Sequence, residues 1–547
     1  MPDYKDTQMY KDLVEMVRIP SVSPSSEENR VADYIHSQLS SISWFRDNPG
    51  DLLLLPCKGD PLERNMIFAI VRATVTTSKT ILLTGHMDVV TTDMYGPLRD
   101  LAFEPEEYTE RIFEVEMSSG ARADLESGDW LFGRGVADMK SGLAACMDQL
   151  RKAAQNTSSL KTNVAVLFVP DEENNSMGMV SAVPYLKYLT EDGLEFVACI
   201  DTEPPFPVEG RSVPTAYLGT VGKANTFFYF EGIGSHVGEY YNGMSAGLIS
   251  SCLNLELDGN PDLVDRRGDF YSSPFGCIKI RDMRDEYSAS IVNSGSQIYS
   301  YLTVSLSPSE ILDNLKNIAS QSMSKAADIF QKRRKKYADL SKVQFEPADL
   351  DLKVLSYGEL EKKVSQNDPE FFETLAEKIL FDENCGDERD RAVRFTAELT
   401  KKCEIDPPFI IYGFLPPWYP HRANERDTHG DRMIAHVVKD LADHASKEFE
   451  ITVAKKEFFE GICDLSYCGY RGNTEEIKKI GENMPGWDRL YTLPLVDLSE
   501  LDIPVLNFGP LGKDLHKKTE RVNIPFLFDI YPYLLSHVIQ TIQDKVR

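Results

Sequence analysis

Short apolar runs alternate with amphipathic stretches over the first two hundred residues of the chain. In residues 25–42, Val31, Ile35 and Leu39 recur every four positions on one face, which predicts a helix, and Ser25 with Glu28 fits a capping box at its start. Residues 66–71 and 80–84 predict strands, and residues 138–152 predict a helix. Residues 163–169 read N-V-A-V-L-F-V, apolar after the first position, as expected of a strand covered on both faces. Residues 196–200 predict another short strand of this kind. Strands and helices in alternation imply an α/β fold with a mainly parallel central sheet.

The texture changes after Pro214. Residues 226–230 predict a strand, residues 301–306 alternate weakly, and residues 311–337 form a polar helical pattern ending in the run Lys332 to Lys336. In so acidic a chain that basic run reads as a solvated helix face. Residues 339–368 are charged and irregular, and residues 370–400 are helical again. The α/β texture returns with the apolar strand predicted at 504–508 and a last helix bearing Leu534, Val538 and Ile542 on one face. The expected division is a catalytic domain in two parts, 1–213 and 451–547, interrupted by an enlarged α+β lid or dimerisation domain at 214–450.

Composition narrows the function classes. At 547 residues the chain exceeds one ordinary core, and 42% hydrophobic residues place it among globular proteins. A formal net charge of -27 argues against a nucleic-acid partner. There is no apolar core of signal-peptide type at the start and no apolar run of membrane-spanning length, so a cytoplasmic protein without a membrane partner is expected. The nine cysteines are scattered without a CxxC, as for reduced thiols inside a cell.

The chemistry gathers at the ends of the predicted strands, where open α/β sheets keep their sites. Gly85-His86-Met87-Asp88 closes one strand. His86 can ligate a metal through one ring nitrogen while Asp88 accepts from the other or packs beside the ring; taken alone, the pair fits a structural role equally well. In Gly133-Arg134-Gly135-Val136-Ala137-Asp138-Met139-Lys140 the glycines permit a tight loop, and Asp138 stands at a loop–helix junction with two oxygens that could bridge two cations, or simply as a helix cap. Pro170-Asp171-Glu172-Glu173 follows the apolar strand, so its adjacent carboxylates can divide into a base and a ligand. Asp201-Thr202-Glu203-Pro204 offers a further ligand from either acid, and His516, with Glu520 four residues on, offers a late histidine. This mixture of nitrogen and oxygen donors suits Zn(II) and tolerates Co(II) or Mn(II).

These five blocks, in this order, resemble the M20 family of metallopeptidases and aminoacylases. The resemblance implies a zinc-peptidase-like fold and a hydrolase with two divalent metal ions, cutting an amide or peptide bond of a small amino-acid-derived substrate. It assigns His86 and Glu203 to one metal, with Asp201 as the alternative to Glu203. It assigns Glu173 and His516 to the other metal, Asp138 to both, Glu172 to the general base and Asp88 to the orientation of His86. The segment Glu231-Gly232-Ile233-Gly234-Ser235-His236-Val237-Gly238 is similar to the start of the family's lid, which makes His236 an oxyanion donor and Asn293 a substrate contact. It also allows a homodimer: in the family the lid often dimerises, some members pair differently, and an enlarged lid leaves open a site shielded within one subunit or a different interface. Arg281, Arg284, Arg422 and Arg471 all remain open as the arginine that holds a substrate carboxylate. The insert is about double the family's usual length. With Gly461-Ile462-Cys463-Asp464 and Pro485-Gly486-Trp487, it makes the chain most similar to the arginine-utilization branch known as RocB, which implies a place in arginine breakdown. Two other readings stay open: hydrolysis of another C–N bond, such as an amidine or carbamoyl group of an arginine-derived compound, and a non-catalytic binding protein on the same scaffold.

Overall fold

The structure, a computed structural model, describes residues 4–207, 212–284, 286–425 and 428–546. The chain divides into two compact units. The first contains Met1–Val221, His421–Arg471 and Val496–Arg547; the second contains Gly222–Pro420 and Gly472–Leu495. The second unit is therefore narrower than the 214–450 expected of the insert, and it reclaims a later segment. The strand Thr215–Tyr217 joins the sheet of the first unit. The helix His429–Phe449 buries Met433, Ile434, Val437, Val438, Leu441 and Ala445 in the first unit's core. An apolar stripe at helical spacing thus keeps these residues with the catalytic part.

The first unit is organised by an eight-stranded sheet. Its order is Leu52–Pro56, Asn65–Val71, Asn163–Val169, Lys79–His86, Glu195–Asp201, Val505–Asn507, Thr215–Tyr217 and Ala454–Lys456. The four central strands, from Asn163–Val169 to Val505–Asn507, run parallel. The pairs Leu52–Pro56 with Asn65–Val71, Asn65–Val71 with Asn163–Val169, and Val505–Asn507 with Thr215–Tyr217 are antiparallel. Asn163–Val169 is buried at every position, as a strand covered on both faces must be. The register sets His86 beside Val169 and sets Asp201 beside both Thr84 and Asn507, so the parallel strands deliver their polar ends to one edge. Helix Lys140–Gln155 packs on this sheet with Leu143, Met147 and Leu150 fully buried. A side chain on Gly142 would come within 2.4 Å of the Thr202 hydroxyl, so only glycine allows the helix this close.

The helix predicted at 25–42 forms over Glu28–Ser40, but its capping box is only half made. The Ser25 amide donates to Glu28 at 3.0 Å, while the Ser25 hydroxyl caps nothing. The Glu28 carboxylate is drawn instead to Arg64 and to the Asp171 amide.

The second unit holds a five-stranded sheet in the order Gly276–Asp282, Ser294–Thr303, Gly222–Glu231, Phe409–Tyr419 and Lys353–Ser356. The tract at 339–368 is not wholly irregular: Lys353–Ser356 pairs in parallel with Phe409–Tyr419, and helix Tyr357–Asn367 starts on a complete Ser356/Glu359 capping box. The stretch at 370–400 is two helices, Pro369–Leu380 and Glu388–Lys402, parted by a turn in which Gly386 adopts φ 94°. Helix Pro308–Ser341 carries the basic run, and Lys332, Arg333, Lys335 and Lys336 on it are exposed. Among the described residues no helix is long and apolar enough to cross a membrane.

Candidate metal centre

The buried imidazole of His86, last residue of Lys79–His86, is the hub of the site. Its Nδ1 lies 3.0 Å from the Asp88 backbone carbonyl, which fixes the ring. Its Nε2 lies 3.1 Å from Asp138 Oδ1 and 3.2 Å from Glu203 Oε1, with Glu172 Oε2 at 4.0 Å. A second group forms around His516, whose Nε2 is 3.2 Å from Asp138 Oδ2 and 2.9 Å from Glu173 Oε1. Asp138 therefore turns one oxygen to each histidine. Three groups have metal-ligand spacing: His86 with Asp138 and Glu203, His516 with Asp138 and Glu173, and His86 with Glu172 and Glu173.

Each element presents its side chain for a traceable reason. Asp138 lies in the loop before helix Lys140–Gln155, and Glu520 Oε1 accepts the amides of Ala137 and Asp138, each at 3.2 Å. The other oxygen of Glu520 pairs with the buried Arg134 of the same loop. The Asp171-Glu172-Glu173 turn is clamped from two sides. Asp88 accepts the Glu172 amide at 3.1 Å and the Glu173 amide at 3.0 Å. Beneath, Arg64 bonds Asp171, Glu28 and Asp60, and Asp171 holds the left-handed φ of 71° at the head of the turn.

Electrostatically the cluster is short of positive charge. Burial pushes Glu172, Glu203 and Glu173 above the usual carboxylate range, and neighbouring carboxylates push the same way. Burial also works against the Asp138 charge, but the bonds from His516 and His86 outweigh it and hold the carboxyl low. His516 is raised to about 11: burial opposes its charge, and Asp138 and Glu173 more than compensate. Two imidazoles and four carboxylates converging in this way fit a pair of divalent cations in donor type and in charge.

Several expectations are refined by this geometry. Glu203 faces His86, whereas Asp201 turns Oδ1 to the Thr202 amide and belongs to none of these groups. Asp88 does not orient His86 chiefly through its carboxylate, which stands 3.5 Å from Nδ1; its backbone carbonyl holds the ring, and the carboxylate holds the Glu172–Glu173 turn. The reason is steric economy, since the carboxylate is fully buried beside two amides that need an acceptor. Arg64, Glu28, Arg134 and Glu520 are supporting residues with no assigned part in the sequence reading. Glu28 and Glu520 were visible only as a cap and as a neighbour of His516.

His236 and Asn293 belong to the second unit and are both exposed. They lie on one antiparallel strip, in which Gly232 donates to the Asn293 carbonyl at 2.8 Å and His236 bridges to Ser290. His236 Nδ1 accepts the Gly238 amide at 3.1 Å, which puts the ring proton on Nε2, the tautomer a hydrogen-bond donor needs. Of the four candidate arginines, Arg422 is buried against Asp502 and the Ile503 carbonyl, and Arg471 is bound by Asp431 and Asp502. Arg281 pairs with Asp390 at 3.4 Å, and Arg284 with the Ser290 carbonyl at 3.1 Å. All four already carry structural bonds.

Residues 82–540 match the model of peptidase family M20/M25/M40. The uncharacterized protein YqjN of Bacillus subtilis is 32% identical over 537 residues, covering 97% of this chain and 95% of its own. Protein RocB of the same organism is 28% identical over 543 residues, covering 96% and 94%. Among solved structures, a tripeptidase from Staphylococcus aureus shares the fold with a TM-score of 0.52 at 11% identity, over 99% of each chain.

Proposed function

Because the chain belongs to peptidase family M20/M25/M40 and is a metal-dependent hydrolase, we propose that it hydrolyses an amide or peptide bond of a small amino-acid-derived substrate. The observation that carries this reading is the division of Asp138, with Oδ1 toward His86 and Oδ2 toward His516. In this reading His86, Glu203 and Asp138 hold one divalent cation and His516, Glu173 and Asp138 the other, with zinc the expected metal. Bound there, such cations polarise a carbonyl and lower the pKa of water toward about 7. Glu172 takes the proton of the attacking water and delivers it to the leaving amine. Asp88 keeps Glu172 in place through the backbone amide. His236 donates from Nε2 to the oxygen that gains charge in the transition state. We further propose arginine-derived compounds as substrates to try first, the cytoplasm as the compartment and a homodimer as the assembly; the similarity to protein RocB supports the first of these.

The test is to quantify bound metal and to assay the protein with Zn(II), Co(II) or Mn(II) against N-acyl amino acids, dipeptides and arginine-derived compounds, beside Glu172→Gln. Two metals per chain, with turnover abolished and metal retained in the variant, is the expected result. Near-normal turnover by Glu172→Gln would overturn the assignment of the base, and a chain that binds no metal would overturn the mechanism.

A further inference from the structure

The second unit contains a cleft of about 640 Å3 that the hydrolytic chemistry does not use, and every residue lining it belongs to that unit. Helix Tyr357–Asn367 contributes Tyr357 and Glu361, four positions apart and so on one face. Phe372 and Phe395 come from the two helices that follow, with their rings edge to face at 5.4 Å. The short segment Gly472–Leu495 contributes Trp487, seated on Gly481, where a side chain would begin 2.6 Å from the ring. A space of this size, walled by aromatic rings with a few polar groups, has the make-up of a small-molecule site.

The charges on its walls are unevenly met. The two lining cations are taken, Arg489 by Glu373 and Lys478 by Glu475. Of the lining carboxylates, Glu482 is paired with Lys479 at 2.9 Å. Asp488 accepts the Thr492 hydroxyl at 2.7 Å, and among the described residues neither it nor Glu361 forms an ion pair. The buried Tyr357 hydroxyl stands beside the Glu361 carboxyl without reaching hydrogen-bond geometry. Burial pushes that carboxyl above the usual carboxylate range, against the opposing influence of Tyr357 and Arg489.

This arrangement selects among ligands by charge. An anion would meet two cations that are already neutralised and two carboxylates that are not. A metal ion would need several donors, and among the described residues no group of three metal-ligating side chains gathers at this cleft. An uncharged apolar molecule would cover Glu361 and take its carboxylate further from water, which is costly. An organic cation on an apolar stem answers both walls: its head meets the carboxylate, and the electron-rich faces of the rings attract positive charge.

We propose that this cleft binds a small organic monocation, an alkylammonium or alkylguanidinium, with its head at Glu361 and its stem against Trp487, Phe372 and Phe395. The inference stands apart from the hydrolytic reading, since it uses none of the residues around His86 and His516 and is read by binding rather than turnover.

The experiment titrates the full chain, saturated with Zn2+ so that the acidic groups of the metal centre are occupied, with hexylammonium and with hexylguanidinium, followed by calorimetry and ligand-observed NMR. Hexanoate and hexanol serve as controls of equal stem length. Saturable binding of one or both cations at one equivalent is expected, with neither control binding comparably. Glu361→Gln, which keeps size and shape, is expected to weaken the cation by about tenfold or more. Should Glu361→Gln not fold, Trp487→Leu is the second variant, expected to weaken the cation about two- to fivefold. Binding of neither cation by the wild type would overturn the proposal. So would equal binding of hexanol or hexanoate, which would make the cleft merely apolar, or unchanged affinity in a folded variant, which would place the cation elsewhere.

Discussion

Replacing Asp88 by asparagine separates two accounts of that residue. Its carboxylate accepts the Glu172 amide at 3.1 Å and the Glu173 amide at 3.0 Å in a fully buried setting. A hydrogen bond to a charged acceptor contributes about 1.5–3 kcal/mol, against about 1 kcal/mol for a neutral one. Asparagine keeps one acceptor and turns an NH2 group toward the other amide, leaving a buried donor unmet at about 1–3 kcal/mol. The combined loss, about 2–5 kcal/mol, falls on the two peptide units that carry Glu172 and Glu173. A displacement of about 1 Å at a reacting group costs about 100-fold in rate. The His86 ring, however, is held by the Asp88 backbone carbonyl, which the substitution preserves. Asp88→Asn is therefore expected to keep its metal at near wild-type stoichiometry, to lose about 100-fold in kcat with KM little changed, and to unfold at lower urea. Wild-type kcat would refute the argument. So would a loss of activity that tracks a loss of metal, because Asp88 would then act through the imidazole.

Arg64→Met removes the cation shared by Asp60, Glu28 and Asp171, and the uncompensated buried charges are expected to cost about 3–5 kcal/mol in urea unfolding. His236→Ala is expected to lower kcat without changing metal content, measured by elemental analysis beside turnover; an unchanged kcat would remove it from the mechanism. For Asp431, burial works against the charge, but the Arg471 guanidinium outweighs it and holds the carboxyl below the usual range. A depressed carboxyl stabilises fully above its unfolded value, about 3.9, and that contribution is lost as pH falls through the lower folded value. Asp431→Asn should thus be less stable than wild type at neutral pH and show a shallower loss of stability below about pH 4; parallel pH–stability curves would refute the pairing.

The parts of the site that were legible in the sequence are those where chemistry follows a strong strand signal. The run N-V-A-V-L-F-V fixed where a fully covered strand ends, and Glu172 and Glu173 had to follow at its edge. His86 and Asp138 were visible for the same reason, one at a strand end and one in a glycine-bearing loop. What stayed hidden depends on pairing between distant segments. Arg64 meets Asp171 across 107 positions, and Arg134 meets Glu520 across 386, distances at which no local pattern speaks. Ser25 and Glu28 misled because a capping signature and a buried ion-pair ligand use the same residue types. Ser356 and Glu359 carried that signature correctly, inside a tract dismissed for its charge.

The second unit is not a contiguous cassette. The path of the chain leaves the first unit at Val221, returns at His421, leaves again at Arg471 and returns at Val496. The short second excursion supplies Asn483, whose carbonyl accepts the Phe414 amide at 2.9 Å and whose side chain accepts the Gly358 amide at 3.1 Å. An excised fragment 222–420 would therefore lack acceptors for two of its own amides. Modular engineering of this protein, by swapping or trimming the insert, has to move both pieces as one graft with both pairs of junctions, because neither length of chain encodes a finished body by itself.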